Sequence, residues 1–506
     1  MDENFGEIEN KDELSLITKG AGIFSFGYIF ELLAVFITTV FLTRILGVGD
    51  FGLYTLGRIV LQIGATVAIL GLNGGALKYM SAYLALDDKK KAKGVMIQAI
   101  IFPLIFGSII SAGIFFFSSF IANFFGKPEL SSVIKVFSFG IPLFALMQSA
   151  GVATRSFKTA KYSVLSEKVL KPFLNFLLIM IFYFLGYRLL GMALALVISI
   201  FITVFYLIFW IRKIFPELFS RNIIPEFETK KLLSTSFPLM LIWMIGFFLS
   251  WTDTIMIGYF LSSDMVGIYQ VAVKVSFLII MFLGALSAIF VPVISSLYHK
   301  GEMKKLSSIF KTVTKWGLFL GLLLFLIFII SSKEIMMIFG NNFVLGTSSL
   351  LVLCFGQLIH VGMGASASML MMTGKEKIEF LNDIFVLILD ILLNLILIPK
   401  FGILGAAIAT TICLAILNIA RIAEVYLFLR IHPFNINFLK GIFTAFFVFA
   451  TVFPLKYYFF SDFNYLFNLF LTSFIVLILF FLFLFILKFE EEDRFIFKKI
   501  KERLKL

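Results

Sequence analysis

The stretch from Asp253 to Tyr269, DTIMIGYFLSSDMVGIY, is an altered copy of a segment the chain has already used at residues 39–54, TVFLTRILGVGDFGLY. In both, an apolar run stops at a short polar turn carrying an aspartate and resumes with Gly-x-Tyr: Asp50, Gly52 and Tyr54 in the first, Asp264, Gly267 and Tyr269 in the second. The two tyrosines lie 215 residues apart. A second echo has nearly the same offset, YRLLGMALALVIS from Tyr187 matching FGILGAAIATTIC from Phe401, so that Gly191 falls on Gly405; Lys161 likewise falls on Lys375. Matches at one offset in unrelated turns mark a duplication, and a period of this kind governs how the whole fold is read.

Composition says what was duplicated. A 506-residue chain that is 60% hydrophobic and 14% charged, with a mean hydropathy of +1.04, carries more apolar surface than one soluble core can hide, and is read as an integral membrane protein. Cys354 and Cys413 both lie in apolar runs away from any second ligand, which suggests neither a disulfide framework nor a metal site. The net charge of +13 would suit nucleic acid, but its placement answers to membrane orientation instead, so no nucleic-acid partner is expected.

Apolar stretches of about 20 residues, enough to cross ~30 Å of hydrocarbon, recur near 20–45, 54–80, 94–118, 132–152, 168–186, 189–211, 235–260, 268–296, 310–331, 345–372, 379–399, 402–428, 440–459 and 465–488. The expectation is an all-α membrane protein with about fourteen transmembrane helices, the first too long for a cleaved signal core. With the amino terminus inside, about 33 of the 43 Lys and Arg residues fall on the inner side, which places both termini in the cytoplasm of a multi-pass cell-membrane protein. The division that follows is an N-lobe over 1–211 (helices 1–6), a cytoplasmic linker over 212–232, a C-lobe over 233–428 (helices 7–12), helices 13 and 14 within 429–488, and a basic tail over 489–506. Six crossings per copy is an even number, so the repeats are parallel, as in transporters whose lobes flank a central substrate. In the tail, Ile496, Ile500 and Leu504 form one stripe among Lys498, Lys499, Lys501, Arg503 and Lys505, the pattern of an interfacial helix on anionic lipid.

Charges at membrane depth are expensive, so each one there is a candidate for a cavity or a buried partner. Arg58 follows Tyr54 by four residues and Lys274 follows Tyr269 by five, so both copies carry a cation at matching depth. Facing each other they would bind phosphate, Arg as a fork and Lys as a point charge; facing outward they would snorkel to water. Lys168, Lys171 and Asn175 share one face of helix 5, and Asp383, Asp390 and Asn394 share one face of helix 11. Either the lobes meet there through salt bridges, or the cavity has an anion-binding wall and a cation-binding wall. Asp253 is a candidate partner for Lys274. Glu31, without an evident partner, is a shielded neutral carboxyl or a coupling site. His360 titrates near neutral pH when unperturbed, and is either a coupling group or a hydrogen-bonded packing residue. Arg421 and Glu424, three apart, read as a mutual pair. No phosphate-binding glycine loop, zinc-binding helix or metal cluster occurs, and the outer loops are short and acid-poor, so the chain is read as a transporter, not an enzyme.

FLTRILGVGDFGLY, TIMIGYF after Asp253 followed by VGIY, and the MMTGK and ILGAAIAT segments resemble the polysaccharide transporters that include the O-antigen flippases. These belong to the superfamily that also holds multidrug and toxin extrusion antiporters and lipid II flippases. The resemblance covers helices 1–12, and helices 13 and 14 fit its fourteen-helix members. It implies a flippase that moves a polyprenyl-phosphate-linked glycan from the inner to the outer leaflet by alternating access between two lobes, working as a monomer. Arg58, Lys274, Lys168, Lys171 and Asn175 are then substrate-binding candidates. Glu31, Asp253, Asp383, Asp390 and His360 are candidates for coupling to H+ or Na+, with no cofactor expected. The alternative is a cation-coupled multidrug antiporter of the same fold.

Overall fold

The computed structural model describes residues 2–157, 161–460 and 463–487; among them there are helices, turns and loops and no strand. The basic tail over 489–506 lies outside the described residues. The chain forms two compact units, Met1–Gln270 and Val271–Leu506. The first holds α1 (Asp2–Ala68), α2 (Leu72–Ala85), α3 (Lys89–Phe116), α4 (Ser118–Phe124), α5 (Leu130–Ser138), α6 (Gly140–Arg155), α7 (Lys161–Val164), a π-helical turn (Leu165–Leu170), α8 (Lys171–Phe184), α9 (Leu189–Ile214) and α10 (Thr229–Phe260). The boundary falls inside α11 (Ser263–Ser276). The second unit continues with α12 (Met281–His299), α13 (Met303–Ile330), α14 (Ser332–Phe339), α15 (Thr347–Gly362), α16 (Ser366–Met372), α17 (Glu376–Phe401), α18 (Ile403–Leu429), α19 (Phe438–Phe459) and α20 (Tyr465–Ile486).

Among the described residues, eleven helices are long and apolar enough to span a membrane, or twelve if the pair Leu130–Ser138 and Gly140–Arg155, bent by 42°, counts as one span. Fourteen were expected, and the shortfall has local causes. The apolar part of α1, Phe26–Ala68, runs 43 residues without a loop, about twice what one crossing needs at 1.5 Å per residue. Its direction changes at Gly47, where φ 72° and ψ −174° leave helical space, a backbone conformation that a side chain would oppose. The first two expected spans thus share one continuous element. The expected span at 168–186 contains only the 14 regular residues of α8, behind the π turn.

The repeated turns meet in space. A Cβ on Gly52 would lie 1.9 Å from the Ser263 carbonyl oxygen, and one on Gly267 would lie 2.2 Å from that of Val48. Val48 and Ser263 are themselves 215 residues apart, so the contact is reciprocal, a local twofold crossing that only glycine permits. Beside it, Lys127 is 8% exposed and donates to the carbonyls of Phe125, Gly258 and Leu261, capping the end of α10. A buried ammonium satisfied in this way answers the orphan carbonyls of a helix terminus.

The segment between α9 and α10 is strapped onto α2 and α3. Lys89 pairs with Glu217 at 3.1 Å, and Lys91 reaches Glu226 at 3.7 Å and Glu228 at 3.6 Å. Lys93, 6% exposed, donates to the carbonyls of Ser220 and Ile223, and the Glu226 amide donates to the Lys90 carbonyl at 3.1 Å. Glu228 accepts from both Tyr83 and Lys231. In the second unit, α19 and α20 close a core with α13 around Leu322, Leu326, Val448 and Val476. Lys456 fixes that packing through Glu334 at 2.8 Å and the Ile330 carbonyl at 2.7 Å. Large apolar side chains cover the outside, Phe116, Phe184 and Phe485 being 80, 77 and 69% exposed. Such a surface suits lipid.

Candidate functional site

In the first unit the charged residues of α1, α6 and the π turn converge. Glu31 stands one turn after Tyr28, and the Lys168 ammonium donates to its Oε2 at 2.7 Å while lying 5.7 Å from the Tyr28 ring centroid. The carboxylate that looked partnerless in the sequence is therefore held by a lysine 137 residues away. The wide turn at Leu165–Leu170 inserts an extra residue into the helical register. Such π turns re-aim side chains and recur at functional sites. Lys171 follows directly, its ammonium 5.8 Å from the Phe144 ring centroid and in electrostatic range of Glu31, Glu167, Arg58 and Lys168. One turn on, Asn175 is 9% exposed, and its buried Oδ1 has no hydrogen-bond partner among the described residues.

The structure thus brings together Arg58, Lys168, Lys171 and Glu31 within one unit and adds two residues that the sequence reading passed over. Glu167 is in electrostatic range of Arg155, Lys171, Lys168 and Glu31. The overlooked signal was spacing, because Glu167 and Lys171 stand at i and i+4, where side chains share a helix face. Four cations now face two carboxylates, an excess of positive charge suited to an anion. Tyr54 packs edge-on against Phe137 at 5.4 Å, and the hydroxyls of Thr38, Thr39 and Thr43 bond carbonyls of their own helix.

The second unit gathers acid. Arg421 on α18 pairs with Glu379 and, at 3.2 Å, with Asp383, both on α17. Glu424 accepts instead from Asn382 at 2.7 Å. The Arg421–Glu424 pairing read from the sequence is therefore replaced by pairing across two helices: at helix spacing a guanidinium reaches a neighbouring carboxylate as readily as one three residues along, and here two are available. Asp390 and Asn394, 5 and 0% exposed, continue the α17 face toward the helix centre. His360 Nδ1 lies 3.0 Å from Asn418 Oδ1, the hydrogen-bonded arrangement of a packing histidine. Asp253 accepts from the Tyr269 hydroxyl at 2.7 Å, tying the second repeated turn to α10. Lys274 belongs to the second unit and Arg58 to the first.

The family model described as "Polysaccharide biosynthesis protein" matches residues 17–298, more than half of the chain, and the MatE model matches residues 238–396. A curated relative, the probable low-salt glycan biosynthesis flippase Agl15 of Haloferax volcanii, is 31% identical over 175 residues, 34% of this chain and 36% of its own length. The match thus spans about a third of that relative. Among solved structures, the chain is similar to one described as the lipid II flippase MurJ in an inward closed conformation, with a TM-score of 0.72, 15% identity, and coverage of 91% of this chain and 97% of that one. It is also similar to an inward-facing multidrug resistance MATE family transporter of the MOP superfamily, with a TM-score of 0.60, 19% identity, and coverage of 86 and 99%. At these identities the likeness is one of fold. The duplicated helical chain, its apolar exterior and a family model that covers residues 17–298 lead to one assignment: the protein belongs to the polysaccharide biosynthesis protein family.

Proposed function

We propose that the protein is a flippase that moves a polyprenyl-phosphate-linked glycan from the inner to the outer leaflet of the cell membrane by alternating access, as a monomer with both termini cytoplasmic and its basic tail on anionic lipid. The observation that carries this is the cluster of Arg58, Arg155, Lys168 and Lys171 around two carboxylates, in a family tied to polysaccharide biosynthesis. A lipid-linked glycan presents one feature common to all its variants, the anionic phosphate between lipid and sugar, and clustered cations recognise it through charge-assisted hydrogen bonds. Asn175, whose buried oxygen has no hydrogen-bond partner among the described residues, is the neutral member that takes a sugar or phosphate hydroxyl. Lys274 is retained as the second repeat's candidate cation. Lys171→Gln should weaken binding of a polyprenyl diphosphate by about 1.5 to 3 kcal/mol, the scale of a hydrogen bond to a charged group. Unchanged affinity in that variant would remove the cluster from the substrate site.

The acidic group on α17 and α18 favours a second reading, a cation-coupled antiporter. Glu379 and Asp383 pair with Arg421, Glu424 lies in its electrostatic range, and Asp390 is buried further along α17; a group of carboxylates of this kind suits H+ or Na+. In a flippase the same group is the coupling site. Asp390→Asn should then abolish dependence on an ion gradient while leaving the protein folded; unaltered dependence would assign Asp390 to packing.

A further inference from the structure

The chain interrupts its own helix where α1 passes into α2. Leu70 and Gly71, between the end of α1 at Ala68 and the start of α2 at Leu72, both stand in the left-handed region, at φ 53° and 69°. A leucine rarely adopts that conformation, and strain of this kind persists where the surroundings enforce it and function uses it. The break turns one face of α2 onto α10. Gly71, Gly75, Tyr79 and Tyr83 recur at every fourth residue, so they form one stripe, and all four meet α10 or its N-cap. A Cβ on Gly71 would stand 2.0 Å from the Ser236 carbonyl oxygen, and one on Gly75 would stand 2.0 Å from Ser236 Oγ. Tyr79 shares a hydrogen bond of 2.8 Å with Thr235, and Tyr83 donates to Glu228 while accepting from Lys231 at 3.0 Å. The Lys231 ammonium lies 5.1 and 5.5 Å from the Tyr79 and Tyr83 ring centroids.

Small residues alone would make a permanent helix contact. Two features set this seam apart. Ser236 is 0% exposed, and its Oγ, aimed at Gly75, has no hydrogen-bond partner among the described residues. A hydroxyl stripped of water without compensation opposes the closed contact and recovers its hydrogen bonds when water reaches it. Toward the strap, the seam is held by hydroxyl, carboxylate and ammonium groups, whose hydrogen bonds exchange for water at small net cost. The adjoining stripe of α2 differs: Leu72, Ala76 and Met80 are buried and apolar, and α2 packs on α3 and α6 as well. The helix thus has one face committed to its own bundle and one that can part from α10. Beside the seam, Leu77 on α2 and Phe237 and Leu241 on α10 are exposed apolar side chains, so a gap there opens sideways into lipid.

We propose that the seam between α2 and α10 is a gate in the inner leaflet: it parts along the stripe of Gly71, Gly75, Tyr79 and Tyr83 to admit the lipid-linked substrate sideways, and closes behind it. The inference rests on the flippase reading above and locates its entrance. The glycines bring the closed helices to backbone contact, the tyrosines latch the rim, and the Ser236 hydroxyl keeps the closed state from becoming permanent.

The test uses the full chain in phosphatidylcholine vesicles. A small permeant maleimide should label Ser236→Cys about tenfold faster than Ser199→Cys, both positions being 0% exposed and Ser199 lying on α9. Labelling of the native chain, whose Cys354 and Cys413 are buried, is subtracted from each. Equal rates would overturn the gate. In a second experiment Tyr79→Cys and Thr235→Cys are combined and tied with a short bifunctional thiosulfonate. Tying should slow leaflet transfer of a polyprenyl diphosphate oligosaccharide by about tenfold or more, and reduction should restore it. Transfer by the tied protein at its untied rate would overturn the gate and leave the flippase reading standing. Fast labelling of Ser236→Cys with no transfer by the native protein would instead overturn the flippase reading, and the entrance with it.

Discussion

At the scale of single residues, the protein keeps its membrane-depth charges by pairing them across the chain. Glu31 and Lys168, 28 and 21% exposed at the side chain, stabilise each other, and removing either leaves the other desolvated. Lys168→Gln should therefore lower the amount of folded protein by an equilibrium shift of about 1 to 3 kcal/mol, and Glu31→Gln in the same molecule should restore it. Thermal unfolding of the two variants in detergent checks this; a double variant no better than Lys168→Gln would show that Lys168 serves the site and not the fold. Arg421 gives a sharper case, since it and Glu379 are each 9% exposed at the side chain: Arg421→Gln should cost about 3 to 5 kcal/mol, as when a buried pair is broken from one side. Sequence showed which residues were costly, because hydropathy is a property of the residue. It did not show which partner each would find, because Glu31–Lys168 and Arg421–Glu379 are contacts of tertiary structure.

At the scale of elements, the apolar runs translated directly into helices, while their interruptions stayed hidden. Hydropathy records transfer into lipid and not backbone geometry, so it joins residues across Gly47 and does not register the π turn at Leu165–Leu170. The repeated turns were legible for a reason the structure supplies: Gly52 and Gly267 must both lack a side chain for the two copies to touch. Alanine at either position places a Cβ against a backbone carbonyl that cannot rotate away, and each substitution should destabilise by about 1 to 3 kcal/mol, the cost of overpacking. The strap between α9 and α10 responds to pH in a defined direction. Hydrogen bonds from Tyr83 and Lys231 hold the Glu228 carboxyl below its ordinary value of 4.5, so its contribution is present above that value and lost as pH falls through the lowered one. Amide exchange in the strap, corrected for intrinsic rate, should show the protection of the Glu226 amide lost only in that acid range; protection unchanged there would show that Glu228 does not hold the strap.

At the scale of the whole molecule, the claims are orientation and transport. Lys161, Lys304 and Arg188 are all exposed, so cysteines there report sidedness without unfolding; Lys127, buried beneath three carbonyls, does not. An impermeant thiol reagent on intact cells should label the cysteine replacing Arg188 and spare those replacing Lys161 and Lys304, and the reverse pattern would invert the topology. The central claim, that the cations of the first unit carry a phosphate-linked glycan between leaflets, is tested most directly by leaflet transfer of a polyprenyl diphosphate oligosaccharide in reconstituted vesicles, normalised to folded protein. Native protein should transfer it, and Lys171→Gln combined with Arg58→Gln should slow transfer by about tenfold or more, the equivalent of one charge-assisted hydrogen bond. Transfer at the native rate by that double variant would contradict the account.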